Sequence, residues 1–192
     1  MATPPKDGKL LYHLTSIENL EGILKNGLMS RVSLEEFDDV AENEIIQHRN
    51  KEGLSHFIPF HFFGGNPFDG KVQNSHSEKT FIFICVSRDY AKKKGFKILT
   101  QHPLSLLNCA PLDYNKGMAE INWDLMQVRD YSDRDCKETC MAECLSPNKI
   151  KASDFYCIYT PNEAVKSEVV KLRNKFVGDC FHVNANSSLF VK

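Results

Sequence analysis

The chain has 192 residues, 42% of them hydrophobic, with 24 basic and 25 acidic side chains and a net charge of −1. This composition excludes extended disorder, and the near-neutral charge excludes a global field that attracts nucleic acid. No apolar run fits a signal peptide or a membrane span, and the seven cysteines fit no disulfide framework. We therefore expect one domain over residues 1–192, reduced, cytoplasmic and away from membranes.

The N-terminal segment predicts a strand followed by an amphipathic helix. Residues 9–14 read as the strand, and Thr15 with Glu18 fits a capping box that opens the helix. The helix stops at Gly27, and its apolar residues recur at helical spacing: Ile17, Leu20, Ile23 and Leu24.

The next segment is less regular. Residues 34–49 are expected to be partly helical. Residues 57–63 alternate around Pro59 and predict an edge or early strand, because proline cannot donate to a central ladder. The glycine-rich stretch 64–70 predicts a loop.

The remaining chain predicts a sheet with a few helices. The apolar run 80–86 is the strongest strand signal and is expected to be central. The other expected elements are helical turns at 87–94, 121–128 and 134–141, a helix at 164–176, a loop-rich region at 100–118, and strands at 96–99, 143–146, 155–160 and 180–191. This order predicts an α+β fold with at least five strands.

Three polar residues near the first turn could hold a nucleotide. His13 and Thr15 point to the same side of an extended segment, and Asn19 lies one turn further on. Exposed amides at a helix start suit a phosphate or an adenine edge. The alternative is structural: Thr15 caps the helix and His13 satisfies a buried carbonyl.

Glu143 and Arg49 carry the charges that glycosidic cleavage of a dinucleotide needs. Glu143 stands in an apolar segment, where it is either exposed by strand alternation or held in a cleft. In a cleft its carboxylate could bind a ribose 2′-hydroxyl and offset an oxocarbenium-like transition state. The Arg49 guanidinium could bind a pyrophosphate bidentately, unless it is an ordinary surface arginine.

The sequence offers little support for a metal site or for other enzyme classes. Cys136, Cys140 and Cys144 are spaced by four and would share one helix face, and with His102 or His182 they could bind zinc. The spacing differs from the usual C-x₂-C pair, so we expect packed thiols and no metal. His61 is interpreted as strand packing or a loop contact rather than as a catalytic base. The sequence contains no P-loop, G-x-S-x-G or G-x-G-x-x-G motif.

Four segments together resemble the DarT family of DNA ADP-ribosyltransferase toxins. The resemblance covers most of the chain, and the segments occur in the family's order. They are Leu11-Tyr12-His13-Leu14-Thr15 with Asn19-Leu20, Ile23-Leu24 and Gly27-Leu28; Ile46 to Arg49 with Phe57-Ile58-Pro59-Phe60-His61-Phe62; Asn66-Pro67-Phe68; and Met141-Ala142-Glu143-Cys144-Leu145.

The resemblance implies an ADP-ribosyltransferase fold with a mostly antiparallel central sheet and flanking helices. It implies transfer of ADP-ribose from NAD⁺ to a base in single-stranded DNA, as the toxin of a toxin–antitoxin or phage-defence system with a cognate antitoxin. Matched residue by residue, the resemblance implies that Glu143 and Arg49 would be catalytic. His13, Thr15, Asn19 and Arg49 would bind NAD⁺.

The resemblance also bears on the target. Residues 129–141 would form the loop that recognises the substrate. The family's thymine-modifying branch carries an "SPMLY"-like stretch where this chain has Asn66-Pro67-Phe68-Asp69, which favours guanine as the target. Phe62, Phe63, Phe68 and Tyr131 are candidates for stacking on DNA bases.

Two alternatives remain open from the sequence. The first is an ADP-ribosyltransferase of the same fold that acts on RNA or protein. The second is a module that binds NAD⁺ or nucleic acid without catalysis, in which Glu143 is merely exposed.

Overall fold

The computed structural model describes residues 3–34, 37–106 and 110–191. Its strands are β1 Leu10–Ser16, β2 Ile58–His61, β3 Phe81–Ser87, β4 Lys97–Leu99, β5 Leu112–Asp113, β6 Glu143–Ser146, β7 Cys157–Thr160 and β8 His182–Ala185. Its α-helices are α1 Leu20–Asn26, α2 Asn43–Lys51, α3 Pro67–Ser75, α4 Arg88–Lys93, α5 Tyr114–Glu120, α6 Trp123–Val128, α7 Arg134–Cys140 and α8 Glu163–Phe176.

The strands form one sheet in the order β5-β4-β6-β2-β1-β3-β7-β8. Every neighbouring pair is antiparallel except β7 and β8, which run parallel. Helix α8 connects these two strands, as a parallel pair requires a crossover. The predicted α+β class with a mostly antiparallel sheet and flanking helices is confirmed.

Strand β3 lies inside the sheet, between β1 and β7, as its apolar run predicts. All its residues from Phe81 to Val86 are buried, because helices and the C-terminal segment cover its two faces. It pairs with β1 over seven residue pairs, from Leu10↔Ser87 to Ser16↔Phe81. Helices α1 and α8 pack together on one face through Leu20, Leu24 and Val169.

Strands β1 and β2 diverge. They share a single register pair, Tyr12↔His61. Near it, His13 Nδ1 donates to the Pro59 carbonyl at 2.8 Å, so a side chain bridges the strands where no backbone ladder does. The prediction here is an edge or early strand: β2 is the second strand of the chain, but the edge position is wrong, because β2 lies between β1 and β6. Pro59 is tolerated because the missing backbone ladder to β1 requires no N–H donor at this position.

The start of the first helix differs from the prediction by one residue. Strand β1 continues to Ser16, so Thr15 lies within the strand. Ser16 is the cap, and its side chain accepts from the backbone N–H of Glu18 at the start of a 3-10 turn, Ile17–Asn19. The predicted Thr15 capping box is therefore wrong.

Two helices form where the sequence predicts loops. Helix α3 begins within the glycine-rich stretch, because Asn66 and Asp69 form a capping box and Pro67 occupies the first turn. Helix α5 follows β5 within the region expected to be loop-rich. The C-terminal strand is shorter than predicted, and a 3-10 turn, Ser187–Leu189, follows β8.

The regularly spaced cysteines do not share a helix face. Cys136 and Cys140 lie in α7 and Cys144 in β6, and all three are buried free thiols. No group of three metal-ligating side chains occurs in the described part of the chain. None of the helices in the described ranges combines the length and apolar character needed to cross a bilayer.

Candidate active site

A cavity of about 580 Å³ opens where β1 and β2 diverge. This size is within the range of small-molecule sites. Strand β1, helix α1, residues 37–41, helix α2 and strand β2 form its walls, and Arg49 and Glu143 line it side by side. The sequence-predicted residues all line it: His13, Thr15, Asn19, Arg49 and Glu143.

Arg49 and Glu143 form a buried ion pair. Arg49 lies in the last turn of α2, and Glu143 is the first residue of β6. Arg49 Nη1 donates to both carboxylate oxygens, at 3.0 Å to Oε1 and 2.7 Å to Oε2, and Nη2 donates to the Leu54 carbonyl at 3.4 Å. Each side chain is 8% exposed. Glu143 is thus held in a cleft, and Arg49 is not an ordinary surface arginine.

Three histidine rings also border the cavity. His13 Nδ1 contacts the Pro59 carbonyl at 2.8 Å, and His61 Nδ1 contacts the Ala142 carbonyl at 3.1 Å. Since a carbonyl only accepts, both rings carry their proton on Nδ1. His102 differs, because its Nδ1 accepts from the backbone N–H of Leu104 at 3.3 Å.

Burial is the main cause that lowers the pKa of all three imidazoles, and that of His61 falls to about 4. The rings are therefore neutral near pH 7. In the neutral form, His13 and His61 leave Nε2 as an acceptor, whereas His102 carries its proton on Nε2 as a donor.

Asn19 holds one wall of the cavity. Its Oδ1 accepts from the backbone N–H of Asp38 at 2.8 Å, and its Nδ2 donates to the Asp38 carbonyl at 2.9 Å. Nδ2 also donates to Thr15 Oγ1 at 3.3 Å. Asp38 is further tied by an ion pair with Lys79, which lowers the pKa of its carboxyl. Asn19 thereby joins β1 to residues 37–41.

Several lining residues lie outside the sequence-predicted set. Arg31 borders the cavity, forms an ion pair with Asp39 and lies 5.3 Å from the Phe37 ring centroid. His61 and Phe68 form an aromatic pair with centroids 5.3 Å apart. The strand alternation of His61 against Phe60 and Phe62 was a signal that it faces away from them, although not that it borders a cavity. Arg31 gave no comparable signal.

The candidate stacking aromatics divide into three groups. Phe62 and Phe63 are buried in the core, so they do not fit a role as exposed stacking platforms. Phe68 lines the cavity. Tyr131 is 39% exposed, between α6 and α7 in the segment expected to recognise the substrate.

A family model described as "ssDNA thymidine ADP-ribosyltransferase, DarT" matches residues 12–191. A curated DNA ADP-ribosyl transferase from Thermus sp. (strain 2.9) is 23% identical over 183 residues, which cover 86% of this chain and 88% of that protein.

Solved structures share the fold. DarT of Thermus sp. 2.9 in complex with ADP-ribosylated ssDNA superposes with a TM-score of 0.85 at 20% identity, covering 96% of this chain and 97% of that chain. Its complex with NAD⁺ gives 0.78 at 17% identity, covering 96% and 98%. Thermosipho africanus DarTG in complex with ADP-ribose gives 0.70 at 22% identity, covering 95% of this chain and 51% of that chain.

The family model spans nearly the whole chain, so it includes both strands that border the cavity and the segment that carries Glu143. The predicted family and enzyme class are confirmed, and the predicted co-substrate is the dinucleotide bound in a solved relative. The chain belongs to the DarT family of single-stranded-DNA ADP-ribosyltransferases.

Proposed function

We propose that this chain cleaves NAD⁺ in its cavity and transfers ADP-ribose to a base of single-stranded DNA. Glu143 and Arg49 are the catalytic residues, and His13, Thr15, Asn19 and Arg49 hold NAD⁺. The observation that carries the proposal is the buried Arg49–Glu143 pair that lines a cavity of about 580 Å³. The family description and the ligands of the solved relatives support it.

In the proposed reaction, the bond between the nicotinamide nitrogen and C1′ of its ribose breaks, and nicotinamide leaves with the bonding electron pair. A nitrogen of the DNA base attacks C1′ and releases its proton to solvent. Positive charge develops on the ribose in the transition state, where a carboxylate stabilises it. Glu143 fits this role because Arg49 fixes both of its oxygens.

Arg49 acts mainly through Glu143 and secondarily on the phosphates. In the free protein Nη1 is engaged by the carboxylate and Nη2 by the Leu54 carbonyl. A pyrophosphate near this guanidinium would compete for its N–H groups. Arg31, which lines the same cavity, offers a second cation for the phosphates.

Two observations point to different target bases. The family description names thymidine, whereas the Asn66-Pro67-Phe68-Asp69 segment motivated guanine. Helix α3 begins in this segment, and Phe68 lines the cavity. Guanine therefore stays a prediction, and thymine is the alternative that the family description favours.

We further propose that the activity is toxic and is countered by a cognate antitoxin. The support is the name of the Thermosipho relative, DarTG, of which this chain matches about half, 51%. Expression in bacteria is expected to arrest growth, and Glu143→Ala to relieve the arrest.

The decisive experiment is mass spectrometry of a mixed-sequence single-stranded DNA incubated with NAD⁺ and protein. Wild type should add one ADP-ribose to the DNA. Glu143→Gln should reduce the rate about a hundred- to a thousandfold, the range for loss of one electrostatic contact in a transition state. Glu21→Gln, the same change on the exposed face of α1, is the matched control and should behave as wild type. Fragmentation then identifies the modified base.

Labelling of RNA or protein instead of DNA would favour the first alternative from the sequence. NAD⁺ binding without transfer to any substrate would favour the binding module. Equal DNA labelling by Glu143→Gln and wild type would contradict the catalytic role of Glu143.

A further inference from the structure

His61 is placed beside the proposed catalytic carboxylate by the sheet register. His61 and Glu143 are directly opposite partners in the β2–β6 ladder. Directly opposite residues on antiparallel strands project to the same face, with Cβ atoms about 5 Å apart. The imidazole is therefore a neighbour of the carboxylate, although the two are 82 residues apart in the sequence by number (143 − 61).

One ring nitrogen of His61 is fixed and the other is unengaged. Nδ1 donates to the Ala142 carbonyl at 3.1 Å. Nε2 has no hydrogen-bond partner in the described ranges. The side-chain polar atoms there that are both fully buried and unpartnered are Asp38 Oδ2 and Asp69 Oδ1, so Nε2 is not one of them and is not sealed in the core. Because His61 lines the cavity, Nε2 is available to a ligand.

Nε2 of His61 can only accept a hydrogen bond. Burial lowers the pKa of the ring to about 4, so near pH 7 it is neutral with its proton on Nδ1. Arg49 lies close enough to oppose protonation, while Glu143 and the Ala142 carbonyl act in the opposite direction. A ligand group opposite Nε2 must therefore supply an N–H or O–H donor.

The reaction brings such a donor to this position. The bond that breaks joins C1′ to nicotinamide, so the nicotinamide ring lies next to the carboxylate that stabilises C1′. Its carboxamide carries two N–H donors. The Phe68 ring, with its centroid 5.3 Å from that of His61, offers an adjacent flat surface for a cationic pyridinium ring.

We propose that His61 is a specificity-determining residue whose Nε2 accepts a hydrogen bond from the carboxamide N–H of the nicotinamide of NAD⁺. This inference rests on the proposed function. His61 selects a leaving group that carries an N–H donor, and it also holds the ring while the glycosidic bond breaks.

The test compares NAD⁺ with its 3-acetylpyridine analogue, which keeps the carbonyl and lacks the N–H donors. The measured quantity is the ratio of kcat/KM for the two dinucleotides, followed by DNA labelling. One neutral hydrogen bond of about 0.5–1.5 kcal/mol corresponds to a factor of about 2–12 in this ratio. Comparing the ratio between variants cancels the intrinsic reactivity of the two leaving groups.

Two substitutions separate the ring nitrogens. His61→Asn can place an amide N–H near Nδ1, where it donates to Ala142, and removes the acceptor at Nε2. His61→Gln reaches further and can place its amide oxygen near Nε2. The preference for NAD⁺ should fall about 2–12-fold in His61→Asn and stay within about twofold of wild type in His61→Gln. If His61→Asn does not fold, His61→Phe replaces it, because the ring is kept and both nitrogens are lost.

An unchanged NAD⁺ preference in His61→Asn would overturn the inference, as would a change in the preferred DNA base without a change in the dinucleotide ratio. Failure of the proposed function is distinguishable. In that case the wild-type protein itself neither binds NAD⁺ in calorimetry nor labels DNA.

Discussion

Strand β1 has two very different neighbours. On one side it pairs with β3 over seven residue pairs, and β3 is apolar and buried from Phe81 to Val86. On the other side it meets β2 at one pair, Tyr12↔His61. The cavity lies on this second side, together with the Arg49–Glu143 ion pair.

One sheet thus provides both rigidity and a site. Continuous pairing with β3 fixes the position of β1, and the interrupted pairing with β2 leaves room for a ligand. Polar groups in the gap must then satisfy each other, because backbone ladder bonds are absent there. His13 and the Arg49–Glu143 pair meet this requirement.

The largest effect is expected from breaking the Arg49–Glu143 ion pair, on the side of β1 that faces β2. Arg49→Ala leaves Glu143 buried and unpaired, which costs about 3–5 kcal/mol of unfolding free energy. This corresponds to a loss of about 6–20 °C in Tm for a chain of this size. The double variant Arg49→Met/Glu143→Leu should recover most of the stability and none of the activity. Urea unfolding of the variants measures this, and additive losses would argue against a coupled pair.

On the side of β1 that pairs with β3, the corresponding change is a substitution that leaves a cavity in the core. Ile84 is fully buried and lies opposite both His13 and Ile158 in the ladders of β3. Ile84→Ala should cost about 2–5 kcal/mol of unfolding free energy. NAD⁺ affinity of the folded protein should change little. Val128→Ala, at a side chain 65% exposed, is the control and should stay within about 0.5 kcal/mol.

Removing the hydrogen bond from His13 to the Pro59 carbonyl, which bridges β1 and β2, should have a smaller effect. His13→Leu removes the donor to the Pro59 carbonyl and should cost about 1–3 kcal/mol of unfolding free energy, with weaker NAD⁺ binding. His13→Asn, which can place an amide N–H near Nδ1, should retain much of the stability. Calorimetry and thermal unfolding measure both quantities. Equal stability of His13→Leu and wild type would show that the bridge is dispensable.

The smallest effect concerns Asp69, whose buried carboxyl lies at the start of α3. Burial raises the pKa of Asp69 to about 8, against an ordinary value of 3.8, although backbone N–H donors from Gly65 and Asn66 oppose the shift. Between pH 3.8 and about 8 the folded state therefore keeps a proton that the unfolded state has lost. The free energy of unfolding declines as pH rises through this range. From pH 7 to pH 9, wild type should lose a few more degrees of Tm than Asp69→Asn. A parallel decline in both proteins would contradict a raised pKa.

The elements with strong local signals were predictable. The apolar run of β3 and the periodic helix α8 follow from sequence pattern alone. Helix α3 was missed although its signals are present, because Asn66, Pro67 and Asp69 were interpreted as a loop rather than as a capped helix start. Pro59 was assigned to an edge because local rules do not reveal that the adjacent ladder is interrupted.

The site was predictable as separate residues and not as an arrangement. Arg49 and Glu143 are 94 residues apart, so no local pattern indicates that they form an ion pair. His61 and His102 were treated as packing and as a zinc alternative, because an isolated histidine carries little local information. Their placement beside Glu143 depends on strand register and on a turn that only the folded chain defines.

The bonds of Asn19 have a thermodynamic consequence for any ligand of the cavity. Because Asn19 holds the Asp38 N–H and carbonyl, the position of this wall is fixed while the ligand is still absent. Fixing one residue's backbone costs about 1–2 kcal/mol of conformational entropy. That entropy is lost on folding, so a dinucleotide meets a preorganised wall and keeps more of its contact energy as affinity.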